Sequence, residues 1–312
     1  MLGDGVTPAE ASFRSGCACA RDEDCRYNGC HCLADVRMGD SDDEESGGGG
    51  RVQVYAYQAR GSRAGMLSSR MLQEDCNAVI YECHEECACS ADCPNRVVER
   101  GRRVPLQIFR TQGRGWGMLT PPPLLFPLLL PSPFDLTTLR SLLPSKSTHI
   151  YIYIPNPGPP GVRSTVKITK GQFVDRYIGE IITSAEADRR RHASTLARKK
   201  DVYLFDLDKF HDPHSLDPRL RGPPLVVDGE FMSGPSRFIN HSCDPNMRIY
   251  ARVGDPADKH LHDLALFAAR DVRAGEELTF DYTDGVVEED GGDRTGMTRC
   301  RCGSENCRGW LF

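Results

Sequence analysis

The sequence predicts a mostly β protein with short helices, tied at its ends by metal rather than by disulfides. Three observations carry that expectation. Short apolar stretches, PLQIFRT at 105–111, DVYLFDLDKF at 201–210 and PLVVDG at 224–229, recur between clusters of Gly, Pro and Asp at strand length. The stretch SAEADRRRHASTLARKK at 184–200 has helix-forming content, with Thr183 or Ser184 as its cap. Fourteen cysteines gather into two N-terminal groups and one C-terminal group, apart from two isolated ones.

A chain of 312 residues can hold one large domain plus smaller modules. The formal charge of −5 argues weakly against a nucleic-acid surface and suits a basic partner. The first residues, MLGDGVTPAEAS, lack a basic region followed by an apolar one, so disulfides are disfavoured and zinc is the better account of the thiols. The most apolar run, 118–134, is broken by six prolines and cannot be a continuous membrane-spanning helix. A soluble intracellular protein is expected.

Residues 17–32 (CACARDEDCRYNGCHC) supply Cys17, Cys19, Cys25, Cys30 and Cys32. The chain then turns acidic and glycine-rich, and a mobile loop is expected over about 35–70. Cys83, Cys87, Cys89 and Cys93 follow in CHEECACSADC. Nine thiolates do not divide into independent four-ligand sites. Six terminal and three bridging thiolates would give three tetrahedral zinc ions their twelve ligand positions; two ordinary sites plus a spare thiol is the alternative. His31 and His84 are read as solvent-facing bystanders, and Cys76 as a buried structural thiol.

PLQIFRT is a strand, and RGWG at 114–117 a tight turn where two glycines would let backbone approach a ligand under the indole; a plain hairpin explains it equally well. Residues 118–161 show neither helical nor strand period, and strand pattern resumes at Val162. They are read as a retained intron or as an insertion without structure. KGQFVDRYIGEII places Tyr177 and Glu180 near a sheet end, and the basic run in the following helix is read as a solvated face. RFINHSCDPN at 237–246 is read as a buried strand ending in a polar elbow, where Asn240 and His241 could hold a polar ligand. Cys300, Cys302 and Cys307 lack a fourth zinc ligand, and the isolated Cys243 is expected to complete the set. Residues 262–282 read as two strands joined at Ala274-Gly275, with Phe280 and Tyr282 on a shared face.

Taken together, the nine-cysteine spacing, RGWG, YIGE, RFINHSCDPN, ELTFDY and the terminal CxCx4C resemble a SET-domain protein lysine methyltransferase. The similarity is to the suppressor-of-variegation class with pre-SET and post-SET zinc regions, fungal members above all. It implies a SET-domain fold of small curved sheets with a C-terminal pseudoknot, RFINHS and ELTFDY being the crossing strands. The implied boundaries are a pre-SET region 1–105, a SET domain 106–286 carrying the 118–161 insert, and a post-SET tail 287–312. The resemblance implies S-adenosylmethionine bound by Arg114, Gly115, Trp116, Gly117, Tyr203, Arg237, Asn240 and His241, with Trp310 closing over it. It implies three zinc ions in the pre-SET region and one in the post-SET tail.

Methyl transfer needs an uncharged amine, whereas free lysine has a pKa of about 10.4; an aromatic channel and a nearby sulfonium both lower it. By resemblance Tyr282 and Tyr177 orient the amine, and Phe280 leaves room for a trimethylated product. The implied substrate is the histone H3 tail at lysine 9, added as a strand beside Asp206, Asp208 and Glu230. Nuclear, chromosomal localisation, recruitment by chromatin-targeting proteins and no direct sequence-specific nucleic-acid contact complete the expectation. A zinc-rich chromatin scaffold that has lost catalysis, should the insert disable the site, is the competing reading.

Overall fold

The computed structural model describes residues 1–36, 53–73, 76–111, 160–196, 203–283 and 297–311. Its strands are β1 (Ile80–Tyr81), β2 (Leu106–Arg110), β3 (Pro160–Ser164), β4 (Phe173–Tyr177), β5 (Glu180–Ile182), β6 (Leu204–Leu207) and β7 (Leu225–Asp228). They continue with β8 (Asn240–His241), β9 (Met247–Val253), β10 (Asp263–Ala268), β11 (Glu277–Phe280), β12 (Thr298–Arg299) and β13 (Trp310–Leu311). Helices α1 (Ser184–Leu196) and α2 (Pro218–Arg221) are short, so the predicted class holds. Thr183 caps α1, its hydroxyl accepting the Glu186 N–H at 3.3 Å. No helix among the described residues is long and apolar enough to cross a membrane.

The strands form four small sheets, ordered β1-β9-β10-β4, β2-β3-β11-β8, β5-β7-β6 and β12-β13. The two stretches expected to cross lie side by side: β11 pairs in parallel with β8, Thr279 opposite Asn240 and Phe280 opposite His241. The apolar core beneath them contains Val162, Val174, Ile239, Met247, Leu266, Leu278 and Phe280.

Three expectations are corrected here, and one strand was missed. Residues 53–70 are not a mobile loop: Val54, Tyr55, Tyr57 and Leu67 are buried in a core shared with Phe173, Tyr250 and Phe267 of the SET sheets. Leu67 is held by its N–H bond to the Gly171 carbonyl, 2.8 Å, at a turn whose φ of +84° favours glycine. The insert ends two residues earlier than expected, because Pro160 and Gly161 already pair with Arg110 and Phe109. A Cβ on Gly161 would come within 2.5 Å of Thr111 Cγ2, so the close approach of β3 to Thr111 requires glycine. The RFIN segment is a 3-10 turn over Pro235–Phe238, not a strand; only Asn240 and His241 pair. Finally, β9 went unpredicted, although it lies at the centre of the first sheet with β10. The greater part of the insert, 118–159, lies outside the described residues, as does RGWG.

The N-terminal cysteine region docks through a buried charge cluster. Glu82, 1% exposed, follows β1, which pairs in parallel with β9. Its carboxylate accepts the backbone N–H groups of Val97, Val98 and Glu99 and the Tyr57 hydroxyl, and meets Arg252 Nε at 3.1 Å. Arg252, 4% exposed, also reaches Asp263 at 3.0 Å and Glu99 at 2.6 Å. Every charge in the cluster is paired and hydrogen-bonded, the condition under which burial is tolerated.

Candidate active site and metal centres

At the elbow, Asn240 donates its amide N–H groups to the Pro160 carbonyl (3.1 Å) and to Glu277 Oε1 (2.8 Å). The side chain therefore braces β3 and β11, leaving only its amide oxygen and backbone for a ligand. His241 accepts the Tyr282 backbone N–H at Nδ1, 3.2 Å, which places its proton on Nε2, facing Cys243 Sγ at 3.2 Å. Burial holds this imidazole down to about 4, with Asp281 opposing and Arg308 adding to the effect.

Beside the elbow four aromatic rings meet. Phe205 lies 4.6 Å from Tyr177, 5.6 Å from Phe280 and 6.2 Å from Tyr282, while Phe280 and Tyr282 are 4.7 Å apart. The Tyr282 hydroxyl donates to the Ile239 carbonyl at 2.7 Å, and that of Tyr177 to the Tyr203 carbonyl at 3.0 Å. With their protons engaged, both oxygens act as acceptors toward a third group. Burial pushes the Tyr177 hydroxyl well above its ordinary pKa, Arg237 opposing, so it stays protonated. A Cβ at Gly229 would stand 2.8 Å from that hydroxyl, so the cage wall there requires glycine.

Phe205 is the cage residue that sequence reasoning missed. The sequence marked DVYLFDLDKF as a strand, but not that Phe205 meets Tyr177, Phe280 and Tyr282, which come from two other segments.

Arg237 stacks on Tyr203 with its guanidinium carbon 4.0 Å from the ring centre, and Nη1 donates to the Glu230 carbonyl. Its Nε is buried without a partner among the described residues, a donor suited to an anionic group such as the carboxylate of an amino-acid cofactor. Arg237 and Tyr203 are thus in contact, with Asn240 and His241 three and four residues further along the chain. Trp310 is half-buried in the tail hairpin, opposite Arg299. Arg114, Gly115, Trp116 and Gly117 lie outside the described residues.

Cys243 does meet the terminal thiols: the sulfurs of Cys243, Cys300, Cys302 and Cys307 all lie within 4.8 Å of one another. The Cys243 sulfur accepts N–H groups from His241 Nε2 (3.2 Å) and the Arg308 backbone (3.4 Å), and Cys307 accepts that of Gly309 (3.4 Å). Burial raises the Cys302 thiol, but hydrogen bonds from the Cys243 backbone and Ser304 outweigh it and bring it to about 6. Such donors favour thiolates, and four thiolates fit a closed tetrahedral zinc site.

In the N-terminal region three four-thiol groups form: Cys17, Cys83, Cys87 and Cys89; Cys17, Cys25, Cys30 and Cys83; Cys25, Cys83, Cys89 and Cys93. Cys83 belongs to all three, so the sulfurs form one fused cluster rather than separate sites. Cys19 stands outside these groups, half-buried. Cys32 and Cys87 form a further group with His84, which is 6% exposed and so is not the solvent-facing bystander expected, whereas His31 is exposed. Cys76 is half-buried rather than buried. Arg96 and Asn95, unremarked in the sequence, donate to Cys89 and Cys83 at 3.4 and 3.5 Å, a positive and polar shell suited to an anionic metal–thiolate cluster.

Comparison with known proteins agrees with this geometry. Residues 160–283 match the SET domain and residues 4–96 the pre-SET motif. The chain is 53% identical, over its full length and 81% of the relative's, to the H3 lysine-9 specific histone-lysine N-methyltransferase KMT1 of Fusarium mangiferae. It is 52% identical, over its full length and 81% of the relative's, to the H3 lysine-9 specific dim-5 enzyme of Neurospora crassa. The solved structure of the Neurospora SET domain protein DIM-5, a histone lysine methyltransferase, superposes with a TM-score of 0.69 at 50% identity, covering 97% of this chain and 90% of that one. The paired β8 and β11, the aromatic cage beside them and the two thiol clusters place this chain in the family of SET-domain histone-lysine N-methyltransferases with a pre-SET region.

Proposed function

We propose that the protein transfers methyl groups from S-adenosylmethionine to lysine 9 of the histone H3 tail, to the trimethyl state, at nuclear chromatin in heterochromatin formation and gene silencing. The cage of Tyr177, Phe205, Phe280 and Tyr282 beside the Arg237–His241 elbow carries the reading. Arg237, Tyr203, Asn240 and His241, with Arg114, Gly115, Trp116 and Gly117, hold the cofactor, and Trp310 closes over it. When bound, the cofactor supplies an electrophilic methyl group to an uncharged amine. Three zinc ions in the pre-SET cluster and one at Cys243, Cys300, Cys302 and Cys307 support the site.

The apolar walls disfavour the ammonium form of a lysine, lowering a pKa that is about 10.4 in water. The oxygens of Tyr282 and Tyr177, whose protons are engaged by carbonyls, accept the amine N–H groups and so aim its lone pair. By resemblance to the family, Tyr282 is the more important of the two. Phe280 has no hydroxyl to anchor a water, which leaves space for the second and third methyl groups.

The substrate adds as a strand along β6, which pairs with β7 on one side and has no strand partner on the other among the described residues. A lysine on the Phe205 side of that strand points into the cage. Of the acidic residues expected to meet the basic tail, Asp208 is exposed, whereas Asp206 is already paired with Arg191 at 3.2 Å. Chromatin-bound partner proteins recruit the enzyme, with no sequence-specific nucleic-acid contact of its own.

Labelled methyl transfer to H3 tail peptides, each with one lysine replaced, tests the reading with the full chain and with 118–159 deleted. Incorporation lost only when lysine 9 is replaced is the expected result. Absence of transfer to every peptide, with no cofactor binding by calorimetry, would leave the scaffold reading in its place.

A further inference from the structure

The tail thiol site and the cage are joined by a contact that no sequence pattern flagged. Arg308, next to Cys307, donates its backbone N–H to Cys243 Sγ at 3.4 Å and reaches Asp281 Oδ1 with Nη2 at 2.6 Å. Asp281 sits between Phe280 and Tyr282, and its carboxylate also accepts the Thr283 N–H and hydroxyl, each at 3.0 Å. The two side chains are only 19% and 17% exposed, so the pair is charged, hydrogen-bonded and largely shielded from water. Burial alone would raise the Asp281 carboxyl, but Arg308 and Thr283 more than offset it.

This pair fixes the residue that carries the cage hydroxyl. Tyr282 is held by its backbone N–H on His241 Nδ1, by its hydroxyl on the Ile239 carbonyl, and by the clamped carboxylate of the residue before it. The first two anchors belong to the SET domain; the third comes from the cysteine tail. His241 faces Cys243 through Nε2, while its unprotonated Nδ1 lies 3.5 Å from Asp281 without a hydrogen bond to it.

We propose that Arg308 is a positioning residue for methyl transfer, transmitting the seating of the cysteine tail through Asp281 to Tyr282. The proposal deepens the methyltransferase reading and rests on it. Neutralising Arg308 would leave Asp281 a shielded carboxylate without its counter-charge, and the carboxylate would turn toward water and carry the Tyr282 peptide with it. A lysine at 308 would keep the charge but not the fixed fork of the guanidinium.

The test compares Arg308→Gln, Arg308→Lys and Asp281→Asn with the wild type in steady-state kinetics on an H3 tail peptide. Zinc released on denaturation is counted and thermal unfolding recorded for each. Arg308→Gln is expected to lose about 10- to 100-fold in kcat, as for a small misplacement of a reacting group, with peptide KM changed less than about threefold and zinc content unchanged. Arg308→Lys should recover most of the loss, and adding Asp281→Asn to Arg308→Gln should cost little more, because the two act as a unit. Wild-type kcat in Arg308→Gln, or zinc loss of equal size in the Gln and Lys variants, would overturn the proposal. Should Arg308→Gln fail to fold, Asp281→Asn decides: reduced kcat with zinc intact supports it, wild-type kcat overturns it. A wild-type protein inactive on every peptide would instead sink the methyltransferase reading, and this proposal with it.

Discussion

The two thiol centres of this chain use the same ligand chemistry for different ends. In the N-terminal cluster nearly every sulfur is buried, Cys83 is common to three groups, and the surrounding core includes Tyr57, Phe173 and Phe267. In the tail centre three of the four cysteines are half-buried, and Cys243 stands two residues from His241. The first centre is built into a hydrophobic core and reaches the catalytic sheets through Glu82 and Arg252. The second completes a site that the sheets already half form. Enclosed and shared thiols are placed to support the fold, whereas thiols at the edge of the pocket are placed beside the groups that line it.

The largest effect should come from the enclosed centre. Cys83→Ala removes a sulfur common to all three groups, and is expected to lower bound zinc by up to three equivalents and to abolish cooperative unfolding of the N-terminal region, read by zinc counting and calorimetry. Retention of all bound zinc would break the comparison. Next is the coupling between that region and the sheets. Arg252→Ala leaves Glu82 as a buried uncompensated charge and should cost about 3–5 kcal/mol in denaturant unfolding.

Within the cage, Tyr282→Phe removes one acceptor for the amine and should lower kcat about 100-fold or more, while the lost bond to Ile239 lowers the unfolding midpoint by only about 2–4 °C. The smallest effect on rate is expected for Phe280→Tyr, which should shift product toward mono- and dimethyl-lysine with the first transfer nearly intact. Unchanged trimethyl yield in mass spectra would refute that assignment.

What the sequence revealed follows the same division. Cys243 was assigned to the tail centre by counting ligands, because a tetrahedral site has a fixed valence that a local motif leaves visibly unfilled. Tyr177, Phe280 and Tyr282 came through resemblance, since a tyrosine in a strand carries no mark that separates cage from core. Phe205 and Arg308 stayed hidden because each acquires its role only when separate segments meet.

The core around Val54, Tyr57 and Leu67 was masked by the acidic, glycine-rich run just before it, which set the expectation for its neighbours. Strand β9 was obscured by Arg248 and Arg252, cations inside a strand that find partners only across the fold: Arg248 in the Gln73 and Cys76 carbonyls, Arg252 in Glu82, Glu99 and Asp263. At the Asn240 elbow the amide N–H groups also brace β3 and β11, a structural role that the sequence did not show.

The division of labour between the two centres is tested most directly by Cys302→Ala, measured for methyl transfer to the H3 tail peptide and for thermal unfolding in the same preparation. The account predicts kcat reduced about 100-fold or more with the unfolding midpoint within about 3 °C of wild type. Wild-type kcat, or an unfolding midpoint that falls as far as it does for Cys83→Ala, would contradict it.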